Sequence, residues 1–297
     1  MALVVHVEPV VDGVALQVGH EARDVDDGHA PHTTVRCVPR FDFHSADRDL
    51  VAYLHDVADA AADTLDEIQS WQESGEREGQ YDADVVVDDV VVAMFEAAGF
   101  GVLSEESSAG AGTFRVEGDS LLVVVDPVDG STNASRGIPW FATSLCIVDR
   151  EGPRAALIAE QSGSEIRYAA VRGGGANCDG VPLRVEPCTD VSRAVVGVNG
   201  APPSPVPWWQ TRTFGAAALD ISLVGKGALD GYLDLHDHGV WDYLAAVLVA
   251  REAGCFVTDA HGRDLFVLDH NERRSPVVAN SRQLCDVLLD AHARHSR

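Results

Sequence analysis

Two carboxylates three residues apart, Asp126 and Asp129, stand at the end of the apolar run Leu121-Leu122-Val123-Val124-Val125 and lead into Gly130-Ser131-Thr132-Asn133. The run reads as a strand. Pro127 lacks an N–H donor, so it is expected to stop the ladder and leave Asp126 at the strand end. The turn that follows brings Asp129 back beside Asp126. Carboxylates this close repel unless a cation lies between them. Residues such as Gly-Ser-Thr-Asn suit a helix start, whose free N–H groups attract anions. One segment thus offers a cation site next to an anion site, the arrangement that metal-assisted phosphate chemistry requires. Asp-Pro and Asp-Gly pairs also build ordinary tight turns, so the segment needs partners elsewhere in the chain.

Candidate partners are the acids at other element ends. Glu105 and Glu106 follow the short strand predicted over 100–103, and strand ends are where layered α/β proteins place ligands. Asp242 opens a helix predicted over 241–253, and Asp84 opens one over 83–98. Each of these two is explained equally well as a helix cap. The remaining elements follow from periodicity. Leu50, Leu54, Val57, Ala61, Leu65 and Ile68 recur at helical spacing. Strands are expected at 121–126, 142–149, 154–161, 166–172, 229–235, 255–258 and 276–279, with helices at 215–225 and 281–293. Arg172-Gly173-Gly174-Gly175-Ala176 lacks a Gly-Lys-Ser/Thr ending and reads as a hairpin rather than a phosphate loop. The proline-rich loop 200–207 reads as a lobe boundary region. His236-Asp237-His238 reads as a structural loop near the substrate pocket rather than a transition-metal site. The alternation of strands and helices indicates a layered, mixed α/β architecture.

Composition bounds the function. With 297 residues the chain can bury a large core. Its 22 basic residues, of which only Lys226 is a lysine, face 47 acidic ones, for a net charge of −25. That surface argues against nucleic acid and against anionic membranes as partners. It also reads as a solvated surface suited to high salt. Six cysteines without a CxxC pair fit free thiols in a reducing cytoplasm. Residues 1–45, rich in histidine, aspartate and turn formers, read as a weakly ordered N-terminal extension, with the folded domain over 46–297 as two packed lobes whose boundary falls near 140–200.

In combination these motifs resemble the inositol monophosphatase family, within the lithium-sensitive phosphatase superfamily that includes fructose-1,6-bisphosphatases. The resemblance rests on Val124 to Asn133, on Trp241 to Gly254 and on Ser104-Glu105-Glu106-Ser107, in that family's order along the chain from about Ser45 to the C-terminus. It implies an αβαβα sandwich paired as a homodimer and a phosphomonoesterase using two or three Mg²⁺ ions. Glu105, Asp126 and the Val128 carbonyl would hold one ion, and Asp126, Asp129 and Asp242 the second. Ser131, with Asp84 as its acidic partner, would orient the attacking water. The N–H groups of Gly130 and Ser131 would hold the phosphate. Gly215, Ala216 and Ala217 match the family's substrate loop, and Asp234 falls near its polyol-contacting acid, although one extra residue precedes Trp241. The substrate implied is a small phosphorylated metabolite, inositol 1-phosphate first. Fructose 1,6-bisphosphate, histidinol phosphate and 3′-phosphoadenosine 5′-phosphate are the alternatives, and a non-catalytic regulatory relative is a remote one. Ser104 stands where the family carries glycine, Ser131 where it carries threonine, and Glu73 to Gln80 lacks the family's lysine.

Overall fold

The computed structural model describes residues 38–68, 71–74, 80–108, 112–202 and 204–295. The N-terminal histidines His6, His20, His29 and His32 lie outside them. The part of the expected extension that is described belongs to the folded unit. Phe41 packs on Tyr53 and Phe100, and Arg154 donates to the carbonyls of Phe43 and Ser45.

Two helices form the outermost layer. α1 (Asp47–Glu67) and α2 (Asp82–Ala97) start with acidic residues that suit the helix dipole. They bury Leu50, Leu54 and Val57, and Val87, Val91 and Phe95, against the first sheet. That sheet runs in sequence order: β1 (Gly101–Ser104), β2 (Leu122–Asp129), β3 (Ala142–Asp149), β4 (Gly152–Glu160), β5 (Arg167–Val171), β6 (Gly175–Cys178) and β7 (Val181–Pro182). β1 and β2 are parallel and the rest antiparallel. Every residue of β2 and β3 is buried. Both faces are covered, so an unbroken apolar run replaces polar alternation. Val123, Val125, Leu145 and Ile147 face α1 and α2. Val124, Cys146 and Val148 face the middle layer.

The middle layer is α4 (Ala217–Gly225) with α5 (Val240–Ala253), buried on nearly all sides between the sheets. The second sheet has the order β11-β12-β10-β8-β9, built from β8 (Val195–Asn199), β9 (Gln210–Arg212), β10 (Gly231–Asp234), β11 (Phe256–Asp259) and β12 (Pro276–Ala279). α6 (Arg282–His295) closes its outer face through Leu284, Cys285 and Leu288. The five layers are thus the expected αβαβα sandwich. The chain passes from the first sheet to the second between β7 and β8. The proline-rich loop therefore lies inside the second sheet, between β8 and β9, and is not a boundary.

One expectation about the key strand is corrected. β2 does not end at Asp126 but continues to Asp129. Asp126 pairs with Ser144 and Asp129 with Ala142, so three steps on β2 match two on β3. Pro127 sits in a bulge rather than at a strand end. The bulge turns two carboxylates toward one place, and the short helix α3 (Ser131–Ser135) begins directly after Gly130.

Ser104, the departure from the family's glycine, has a structural task. Its buried hydroxyl donates to Asp88 on α2, accepts from the Glu106 N–H, and so fixes the turn that carries Glu105. Ser104→Ala is expected to lower stability by about 1–2 kcal/mol in denaturant unfolding, because it takes a partner from a buried carboxylate. A change below about 0.3 kcal/mol would show that the Asp88 contact does not hold the turn.

Candidate active site

The carboxyl ends of β1, β2, β8 and β10 and the first turns of α3, α4 and α5 meet around an open cavity of about 220 Å³. Glu105, Asp126, Val128, Asp129, Gly130, Ser131, Gly215, Ala216, Ala217 and Asp242 all line it. Ten of the twelve residues singled out in the sequence therefore converge, from positions far apart in the chain.

The bulge aims Asp126 and Asp129 at the first turn of α5. One oxygen each from Asp126, Asp129 and Asp242 lies within 4.8 Å of the others. Asp126 Oδ1 accepts the Val128 N–H at 3.0 Å, whereas its buried Oδ2 has no hydrogen-bond partner among the described residues. Burial pushes the Asp126 carboxyl well up, and Glu105, Asp129, Asp242 and Asp84 push it further. Burial, then Asp242, raises Asp129 to about 8. Burial also raises Asp242, with His238 opposing. Carboxylates gathered with too little counter-charge, one of them leaving an oxygen unsatisfied, are the donor set a hard divalent cation needs. These residues fit Mg²⁺.

Asp129 has a second duty. Its two oxygens accept the N–H groups of Ala217 at 3.0 Å and Ala218 at 2.7 Å, capping α4 from another element. Ala217 lines the cavity, but its N–H is committed to this carboxylate. Gly130 supplies the turn: its φ is +88°, and a Cβ there would stand 3.0 Å from the Trp140 carbonyl. Asn133 then fastens the turn to the segments before β3 and α4 by donating to the carbonyls of Trp140 and Phe214 at 2.8 and 2.9 Å. Asp242 is aimed by packing. A Cβ on Gly239 would lie 2.3 Å from the Trp241 ring, so only glycine lets the indole fold back over the helix start.

Glu105 and Glu106 are separated by the structure. Glu105 faces the cavity, and Glu106 accepts from Gln80. The last two expected residues lie outside the lining. Asp84 caps α2, its Oδ2 3.0 Å from the Tyr81 N–H, and stands behind Asp126. The Asp234 side chain is 0% exposed. Asn199 Nδ2 and the His236 N–H donate to its Oδ1 at 2.9 and 3.0 Å, and His238 Nδ1 lies 2.5 Å from Oδ2. Asp234 is therefore not in the cavity lining; its imidazole partner is.

Five lining residues were not assigned to the site from sequence: Thr132, Asn199, Asp220, Tyr232 and His238. Burial raises Asp220 to about 7, with the Trp140 indole N–H opposing from 2.8 Å. Its place one helical turn beyond Ala216 was a signal that could have found it. Burial lowers His238, but Asp242, Asp234 and Asp129 outweigh it and hold the imidazole up to about 10. Among the described residues, His238 is the one basic side chain in the lining.

Comparison with known proteins agrees with this geometry. Residues 43–296 match the model of the inositol monophosphatase family. A Thermococcus kodakarensis protein named fructose-1,6-bisphosphatase/inositol-1-monophosphatase is 35% identical over 212 residues, 70% of this chain and 80% of that protein. An inositol-1-monophosphatase of Mesorhizobium japonicum is 33% identical over 224 residues, covering 66% and 78%. Among solved structures, a Pyrococcus horikoshii protein described as similar to inositol-1 monophosphatase superposes with a TM-score of 0.69 at 26% identity, over 81% of this chain and 98% of that one.

Two measurements test the site as built. Between the ordinary carboxylate pKa near 4 and the raised values of about 7 and 8 at Asp220 and Asp129, the metal-free folded protein binds more protons than the unfolded chain. These groups therefore contribute stability at low pH that is lost as pH rises through that window. Added Mg²⁺ competes with the same protons, so it is expected to raise the unfolding midpoint by about 2–4 °C more at pH 8 than at pH 5.5. An equal response at both pH values would count against a buried carboxylate site. Gly239→Ala is expected to cost about 1–3 kcal/mol by overpacking and to displace Asp242, seen as weaker Mg²⁺ stabilisation. An unchanged Mg²⁺ response would show that the Trp241 packing does not aim Asp242.

Proposed function

The chain belongs to the inositol monophosphatase family and is a phosphoric monoester hydrolase, and from that premise we propose that it uses Mg²⁺ to hydrolyse a small polyol monophosphate, inositol 1-phosphate first. The observation that carries the reading is the meeting of Asp126, Asp129 and Asp242 within 4.8 Å around a buried, unpartnered Asp126 oxygen. Glu105, Asp126 and the Val128 carbonyl would hold one ion. Asp126, Asp129 and Asp242 would hold a second. When bound, such ions lower the pKa of a coordinated water from ~16 toward ~7 and stabilise a departing alkoxide.

The chain's own groups do the rest. Gly130 and Ser131 N–H groups, at the start of α3, hold the phosphate oxygens. The Ser131 hydroxyl orients the attacking water opposite the leaving oxygen, with Asp84 acting from behind the cavity. Water adds at phosphorus as the ester P–O bond breaks. One proton of the water goes to the departing alcohol, and inorganic phosphate remains. Without catalysis this reaction is among the slowest in biology.

A single phosphate on the substrate is favoured by the wall. Among the described residues neither lysine nor arginine lines the cavity, while five carboxylates do. Among the described residues a second phosphate would meet no cationic side chain there except His238. That ranks inositol 1-phosphate above fructose 1,6-bisphosphate and 3′-phosphoadenosine 5′-phosphate.

Phosphate release from these esters and from histidinol phosphate, at low and high salt, tests the proposal. The expected result is Mg²⁺-dependent turnover with the highest kcat/KM for inositol 1-phosphate. Asp126→Asn is expected to lower kcat by at least about a thousandfold with the fold intact, as loss of a metal ligand shared by two ions should. Near-native turnover in that variant would remove Asp126 from the bridging position. No turnover of any ester with Mg²⁺ demonstrably bound would leave the chain a binding protein.

A further inference from the structure

The cavity has two unlike walls. One is the carboxylate cluster with the phosphate turn. The other, at the ends of β8 and β10, carries Asn199, Tyr232 and His238. His238 is unusually well fixed for a residue in a loop. Its Nδ1 is bound to Asp234, and Asp234 is in turn held by Asn199 and the His236 N–H. Its backbone exchanges two hydrogen bonds with Arg274, at 2.7 and 2.9 Å. Yet 20% of its side chain is exposed, at the cavity. With Nδ1 committed, Nε2 is the nitrogen left for a ligand; Asn199 Nδ2 lies 3.5 Å away. A second observation points the same way. The Tyr232 hydroxyl, fully buried at the cavity lining, has no hydrogen-bond partner among the described residues. An unsatisfied buried hydroxyl is rare, and a site built to hydrogen-bond hydroxyls discriminates strongly against ligands without them.

We infer that His238, oriented by Asp234, contacts the hydroxyl-bearing alcohol that is released, and that Tyr232 completes this subsite. Asp234 is a positioning residue that acts only through the imidazole. The inference rests on the reading of the cavity as a phosphomonoesterase site for polyol esters. It shifts the recognition role from the acid to the histidine four residues later.

The test compares inositol 1-phosphate and glycerol 2-phosphate with p-nitrophenyl phosphate, whose leaving group has no hydroxyl beyond the ester oxygen. His238→Gln and Tyr232→Phe are assayed in the full chain, with Mg²⁺ titrations and thermal unfolding alongside. In each variant kcat/KM for the polyol esters is expected to fall at least about tenfold more than for the aryl ester, mainly through KM. The Mg²⁺ concentration for half-activation should stay within about twofold in Tyr232→Phe, which removes no charge, whereas His238→Gln removes a positive charge beside Asp242 and should, if anything, lower it. Asp234→Asn should show the same preference, and its effect should vanish in the His238→Gln background. Tyr232→Phe removes one oxygen and keeps the ring, so it answers even if a His238 variant folds poorly. Equal losses on all esters, a Mg²⁺ midpoint displaced in Tyr232→Phe, or an Asp234→Asn effect that adds to His238→Gln would overturn the inference. Wild-type turnover of the aryl ester with none of either polyol ester would instead overturn the polyol reading, and the subsite with it.

Discussion

Carboxylates gathered where water is scarce repel one another, and much of the structure around the cavity answers that repulsion. Asp126, Asp129 and Asp242 come from two different layers, and burial alone drives all three toward the protonated form. The fold offsets this only in part. Asp129 takes two N–H groups from α4. His238 lends positive charge to Asp242. Asp126 keeps one oxygen without any partner. A sequence that folds to this arrangement retains a deficit of positive charge at one point, and a small divalent cation corrects it directly.

The geometry that concentrates this charge is local. A bulge at Pro127 places Asp126 and Asp129 on one side of β2, and Gly130 turns the chain into α3 within one residue. Tight packing then holds the parts in register. Gly239 lets Trp241 fold back over the start of α5, and Asn133 binds the turn at Gly130 to the segments before β3 and α4. None of these contacts touches a substrate, yet each sets where a reacting group stands.

Much of this was legible in the chain. The apolar runs of β2 and β3 and the helical spacing of α1 marked the core because periodicity follows burial. The acids of the carboxylate cluster were legible because three motifs recurred together in a known order. Other features were hidden for physical reasons. β8 is five residues long and lies between polar turns, so Asn199 gave no periodic signal. Tyr232 matters for an unpaired hydroxyl, which no pattern encodes. Pro127 was read as a terminator, whereas a bulge lets a proline sit inside a ladder without its donor being missed. That Asp234 lies outside the cavity lining was not legible, because burial of a carboxylate behind a histidine is a tertiary fact.

The two sheets hold different halves of the cavity. β1 and β2 supply Glu105, Asp126 and Asp129, and β8 and β10 supply Asn199 and Tyr232, with α4 and α5 packed between. On the proposed reading, bond breaking and choice of alcohol fall to separable pieces of backbone. Asp129 is tied to the α4 cap and cannot drift without moving a buried helix, but the opposite wall is free of that tether. Such a division of labour would let a lineage exchange one sugar-like cargo for another while its hydrolytic machinery stays frozen.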